Sequence, residues 1–141
     1  MLPKSILLVE DNSDDVLLAM RTLVKAGIVA ITVARDGQDA LDLLMDLNQP
    51  LPEIVLLDLR LPVIDGLEML ALLRRQERTK SLPVFIYSSF VAPDDEKVCN
   101  LLGVAAFLDK PLELCEFQQV LSTLPVMLKS TNLWNDKYAE T

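Results

Sequence analysis

The sequence predicts an α/β protein, a doubly wound five-stranded parallel sheet with helices on both faces. Three observations predict it. The apolar residues gather in five short unbroken runs, with no polar residue alternating inside them. Segments of helical spacing lie between the runs. The loops are short, with no Pro/Gly/Ser-rich linker that would divide the chain. A strand without a polar face has to be covered on both sides, as it is in a parallel sheet between helix layers.

The first run is Ile6-Leu7-Leu8-Val9, which ends in Glu10-Asp11. Asn12, Ser13 and Asp14 offer capping oxygens for a first helix with Val16, Met20, Leu23 and Val24 on one stripe, and Gly27 can end it. Ile31-Thr32-Val33-Ala34 is the second strand, followed by a helix on which Ala40, Leu44 and Leu47 share a face. Ile54-Val55-Leu56-Leu57 is the third strand and ends in Asp58. Pro62 with Asp65-Gly66 is turn chemistry before a helix marked by Leu67, Leu70 and Ala71. Val84-Phe85-Ile86-Tyr87 runs into the hydroxyl pair Ser88-Ser89, and Ala105-Ala106-Phe107-Leu108 runs into Asp109-Lys110-Pro111. Leu114, Phe117, Leu121 and Leu124 mark a last helix, and Cys99 and Cys115 are expected to be helix-packing thiols. With right-handed crossovers, this β-α repetition leaves few windings, and the flavodoxin-like strand order 2-1-3-4-5 is expected. Ligands of such sheets bind outside the carboxyl ends of the strands, where the strand order switches.

Composition narrows the function. The chain has 141 residues, a single domain's worth, with 51% hydrophobic and 24% charged residues. Thirteen Lys+Arg against twenty-one Asp+Glu give a net charge of −8, which argues against a direct nucleic-acid partner. Two cysteines are too few for a disulfide framework and fit a reducing compartment. Mean hydropathy is +0.32, yet no apolar run is long enough to span a bilayer or form a signal-peptide core. A cytoplasmic domain with no membrane association is expected.

In the expected strand order Glu10, Asp11 and Asp58 converge at the centre of the sheet's carboxyl edge. Two like charges about 4 Å apart repel by roughly 4 kcal/mol at an effective dielectric near 20. Three carboxylates therefore stay ionised together only if a cation neutralises them. Mg²⁺ suits a site of few carboxylates, waters and a phosphate oxygen. The chain has no histidine, and its cysteines lie elsewhere, which disfavours zinc or copper. Mg²⁺, a carboxylate, a hydroxyl and an ammonium together describe phosphoryl transfer: Asp58 as nucleophile, Lys110 as a point charge on one phosphoryl oxygen, Ser88 as donor to another. Asp14, Asp15, Asp36, Asp39, Asp94 and Asp95 are assigned to solvent or to helix caps.

These residues resemble the receiver domain of two-component response regulators. The resemblance rests on Ile6-Leu7-Leu8-Val9-Glu10-Asp11-Asn12, Leu56-Leu57-Asp58-Leu59-Arg60-Leu61-Pro62 with Asp65-Gly66, Val84-Phe85-Ile86-Tyr87-Ser88-Ser89, and Phe107-Leu108-Asp109-Lys110-Pro111. It spans about Ser5 to Leu124. It implies that Asp58 takes a phosphoryl group from a histidine kinase or phosphotransfer protein. It further implies that Asp11, Asp58 and the Arg60 main-chain carbonyl bind Mg²⁺, with Glu10 acting through a bound water. Ser88 and Phe107 take the switch positions, and the Lys110–Pro111 bond is cis. Phe107 lacks the hydroxyl such a position can carry, so its rotation would report packing alone. Arg60 and Phe90 occupy positions that tune phosphoryl lifetime in the family.

Residues 1–128 are assigned to the receiver domain and 129–141 to a tail without a separate output domain. The tail's Leu133, Trp134 and Tyr138 either fold back or contact a partner chain. A tryptophan-bearing tail is similar to that of the stand-alone receivers that partner bacterial phytochromes, which implies a homodimer. The downstream target is a protein of unknown identity. Two rival classes are a Mg²⁺-dependent phosphatase-like or acidic-triad nuclease enzyme and a receiver-like scaffold that is not phosphorylated. Arg60 stands where the enzymes carry a second carboxylate, and the scaffold reading has to explain an intact set of site residues.

Overall fold

Each apolar run forms a strand, and the elements follow as β1 (Ser5–Val9), α1 (Ser13–Lys25), β2 (Ala30–Ala34), α2 (Gly37–Met45), β3 (Ile54–Leu57), α3 (Gly66–Arg75), β4 (Val84–Ser88), α4 (Pro93–Leu101) and β5 (Ala106–Asp109). A fifth helix, α5, begins at 114 and runs to 123. The structure is a computed structural model that describes residues 5–123. The expectations for Leu124, for the domain limit at 128 and for the tail with Leu133, Trp134 and Tyr138 lie outside the described residues.

All strand pairs are parallel and the order is β2-β1-β3-β4-β5. Successive strand residues point to opposite faces and feed two cores. Ile6, Leu8, Ile54, Leu56, Phe85 and Tyr87 meet Val16, Ala19 and Leu23 of α1 and Phe117 and Leu121 of α5. Leu7, Val9, Val55, Leu57, Val84 and Ile86 meet Ala40 and Leu44 of α2, Met69, Leu70 and Leu73 of α3, and Cys99 of α4. The central strands β3 and β4 are buried throughout. β2 is not: Ala30 and Thr32 are exposed, because an edge strand loses cover that its apolar sequence alone does not reveal. Among the described residues no helix is long and apolar enough to cross a membrane.

Caps set the helix limits. The Asn12 side chain accepts from the Asp15 N–H, Asp36 from Asp39 and Asp65 from Glu68, each oxygen cap contributing about 1 kcal/mol. Gly27, at φ 90°, ends α1 in a left-handed turn, with its N–H donating to the Val24 carbonyl and the Ile28 N–H donating to the Leu23 carbonyl.

Several packing expectations are corrected. Val24 is 62% exposed, and Ala19 takes its place on the buried stripe with Val16 and Leu23. Leu47 is 81% exposed because α2 stops at Met45. There the Asp46 carboxylate accepts from the Asn48 N–H in a local turn that competes with another helical turn. Cys99 is buried as expected, whereas Cys115 is exposed, off the buried side of α5 that Phe117 and Leu121 define. α4 buries one residue, Cys99, has no side-chain cap, and starts on Pro93, so a stripe of apolar residues does not announce it.

Candidate functional site

The sheet register builds the site. Val9 of β1 lies beside Ala34 of β2 and Leu57 of β3. One residue further on, the Glu10 N–H donates to the Ala34 carbonyl (3.0 Å) and the Asp58 N–H to the Val9 carbonyl (3.1 Å). Both acidic residues are thus fixed by the ladders just as their strands end. On the other side, Ser88 and Asp109 are register partners of β4 and β5, which places Lys110 one step beyond the sheet.

Glu10, Asp11 and Asp58 each bring a carboxylate oxygen within 4.8 Å of the others. Glu10 is wholly buried and Asp58 is 5% exposed, while Asp11 is open to solvent. The Lys110 Nζ donates to Glu10 Oε1, to Asp58 Oδ2 at 2.9 Å and to Asp15 Oδ2 at 3.2 Å. It also lies 5.0 Å from the centroid of the Tyr87 ring, within cation–π range. Asp58 Oδ1 accepts from the Arg60 N–H at 3.1 Å, and Glu10 Oε2 accepts from the Asn12 N–H at 3.3 Å.

Three carboxylates, Glu10, Asp15 and Asp58, thus share one ammonium, and the ionisation behaviour follows. Burial pushes Glu10 up to about 7, and the neighbouring Asp58 adds to this while the Lys110 hydrogen bond opposes it. Burial works against the Lys110 charge, but its hydrogen bonds to Glu10 and Asp58 win and raise its pKa above the usual lysine value. Burial raises Tyr87 to about 12, so its phenol stays neutral beside the cluster. Three oxygen donors this close, one of them open to solvent, suit a hard divalent ion that keeps several waters, and so fit Mg²⁺.

Ser88 is buried, and its Oγ donates to the Phe90 carbonyl at 2.9 Å while the Phe90 N–H points back to it at 3.4 Å. Its hydroxyl therefore addresses the β4–α4 loop. Phe107 is half-buried in the α2–α4 core, and the Lys110–Pro111 peptide is cis. Arg60 and Phe90 are both exposed and wall, with Leu59, Asp65, Leu67, Ala92 and Asp95, a cavity of about 250 Å³ beside the loop that follows β3.

Three contributors were not evident in the sequence. Asp15, assigned there to solvent or a cap, is the third carboxylate on Lys110; one helical turn into α1 is close enough to the strand end to reach it. Tyr87 lies inside a strand yet presents its ring to the ammonium. Gly66 does more than turn the chain. A Cβ there would sit 2.5 Å from the Leu59 Cα and 2.6 Å from the Asp58 carbonyl, so glycine lets α3 start directly against the residues that carry Asp58.

Residues 6–122 match the response regulator receiver domain family. The chain is 36% identical over 126 residues to the probable methanogenesis regulatory protein FilR2 of Methanothrix harundinacea (strain 6Ac), covering 86% of this chain and 81% of that protein. Among solved structures it is similar to the bacteriophytochrome response regulator AtBRR, with a TM-score of 0.77, 36% identity and coverage of 89% of this chain and 95% of that one. It is also similar to the Mn(2+)-bound form of the response regulator Rcp1, with a TM-score of 0.73, 33% identity and coverage of 87% and 93%.

Proposed function

The chain belongs to the response regulator receiver domain family, and we propose that it signals by accepting a phosphoryl group on Asp58 from the histidine of a kinase or phosphotransfer protein. One observation carries the proposal: Lys110 touches Asp58 at 2.9 Å while Glu10 and Asp11 lie within 4.8 Å, an acceptor with a counter-charge and an ion site on either side.

In the transfer, the N–P bond of the phosphohistidine breaks and its electron pair stays on the imidazole, while an Asp58 oxygen forms the new O–P bond. Asp11, Asp58 and the Arg60 main-chain carbonyl would hold Mg²⁺, and Glu10 would act through water. The ion supplies charge neutralisation for the phosphoryl oxygens, and the Mn(2+)-bound form of Rcp1 supports a divalent ion here. Lys110 turns its ammonium from carboxylate to phosphoryl oxygen, a shift its three present contacts leave short. Ser88 gives up the Phe90 carbonyl to donate to the phosphoryl group, which frees the loop before α4. Phe107 responds by packing alone.

Output is a changed protein-binding surface. The domain works as an acceptor and not as an enzyme with turnover, and it acts in the cytoplasm. Incubation with a small-molecule phosphodonor, read by intact mass, tests this. One phosphoryl adduct is expected with Mg²⁺, and none with chelator or in Asp58→Asn; steady release of phosphate from esters would instead indicate an enzyme.

A further inference from the structure

The edge of a sheet is a template for another chain, and proteins usually blunt it with charge, proline or a bulge. β2 carries none of these. Ala30-Ile31-Thr32-Val33-Ala34 has no charged residue and no proline, and it pairs regularly with β1 at all five positions. The Ala34 carbonyl accepts from Glu10, so Ala34, and by alternation Thr32 and Ala30, turn their backbone groups toward β1. Ile31 and Val33 therefore turn N–H and C=O outward, where no hydrogen bond meets them among the described residues.

The order of side chains points to one occupant. About Thr32 the strand is nearly symmetric, with β-branched Ile31 and Val33 on either side and Ala30 and Ala34 beyond. A foreign strand has no need of that symmetry, whereas a two-fold interface requires a self-complementary patch. We propose that a second copy of this chain pairs antiparallel with β2 across a two-fold axis at Thr32, joining the two sheets into one. Ile31 then faces the partner's Val33, and each such pair exchanges two N–H···O bonds. Thr32 faces the partner's Thr32 in the closer, non-hydrogen-bonded pairing. No like charges meet along the strand, and β-branched residues pair on one face. Val29, 83% exposed, and Leu43, beside Thr32 in a groove of about 270 Å³, extend the contact beyond the strand. The net charge of −8 on each copy opposes association, so salt strengthens the dimer.

Sedimentation velocity on the full chain over roughly a hundredfold range of concentration tests this. Wild type is expected to dimerise, more tightly at higher salt. Thr32→Lys and Thr32→Glu, each folded by circular dichroism, are expected to be monomers, and an equimolar mixture of the two to dimerise again. Thr32→Cys in a Cys115→Ser background is expected to oxidise to a covalent dimer, since the pairing brings the two Cα atoms to disulfide range. Wild type that stays monomeric, a dimer that survives Thr32→Lys, a mixture that fails to re-associate, or a Thr32→Cys chain that does not cross-link overturns the proposal.

Discussion

Replacing Lys110 with methionine removes the ammonium that Glu10, Asp15 and Asp58 share. Its contact with Asp58 at 2.9 Å is worth about 6 kcal/mol of attraction at an effective dielectric of 20, before desolvation is counted. The Lys110 side chain is 13% exposed and its partners Glu10 and Asp58 are 0% and 7%, so the pairs are buried. Asp15 is 32% exposed and its share is screened to less than about 1 kcal/mol. Removing one partner of a buried pair costs about 3–5 kcal/mol, because the remaining charges stay desolvated and unpaired. Against a typical domain stability of about 5–15 kcal/mol that loss is large. Urea unfolding followed by circular dichroism in chelator reads it directly. Two companion results are expected: Mg²⁺ stabilises Lys110→Met more than wild type, since the ion takes over the missing charge, and Lys110→Met costs less in a Glu10→Gln background. A loss below about 1 kcal/mol, or the same loss in both backgrounds, would refute the shared-ammonium reasoning.

Val63, at φ 69° and 77% exposed, is held in a tight turn closed by the Ile64 N–H on the Pro62 carbonyl. Val63→Gly relieves the Cβ strain and should raise stability by about 0.5–1 kcal/mol in the same unfolding assay, less than the strain itself because glycine costs entropy. Burial raises the Cys99 thiol to about 11, helped by Asp95 and Glu96. The folded state therefore keeps its proton where the unfolded chain loses it, so this contribution is intact below pH about 8.5 and declines from there toward the folded value. The unfolding free energy of Cys99→Ala should show a shallower alkaline decline than wild type. Arg60 and Phe90 wall the cavity beside Asp58, and removing both in Arg60→Ala/Phe90→Ala should shorten the phosphoryl half-life about tenfold, measured by loss of adduct mass.

The central sheet was legible because three strands buried on both faces leave no alternative to unbroken apolar runs, as in Ile54–Leu57. The acidic cluster was legible for a related reason: a parallel register fixes what lies one residue past each strand, so Glu10 and Asp58 can be placed without a contact being seen. Contacts that depend on how a helix approaches the sheet were not. Asp15 reads as another first-turn acid of α1 until the helix is docked and its carboxylate meets Lys110. Val24 and Leu47 fit helical spacing, and only the observed rotation of α1 and the turn at Asp46 put them in solvent. β2 shares the composition of the inner strands, and its place at the edge comes from topology rather than from its own residues.

The claim that Asp58 is the nucleophile of an ion-dependent acidic cluster is tested most directly by trapping the adduct with borohydride, which reduces an acyl phosphate to an alcohol at the residue that carried it. After treatment with a phosphodonor and Mg²⁺, peptide mapping should find position 58 alone converted to homoserine, with no conversion in chelator. Conversion at Asp11, Asp15 or another carboxylate, or equal conversion of Asp58 without a divalent ion, would contradict it.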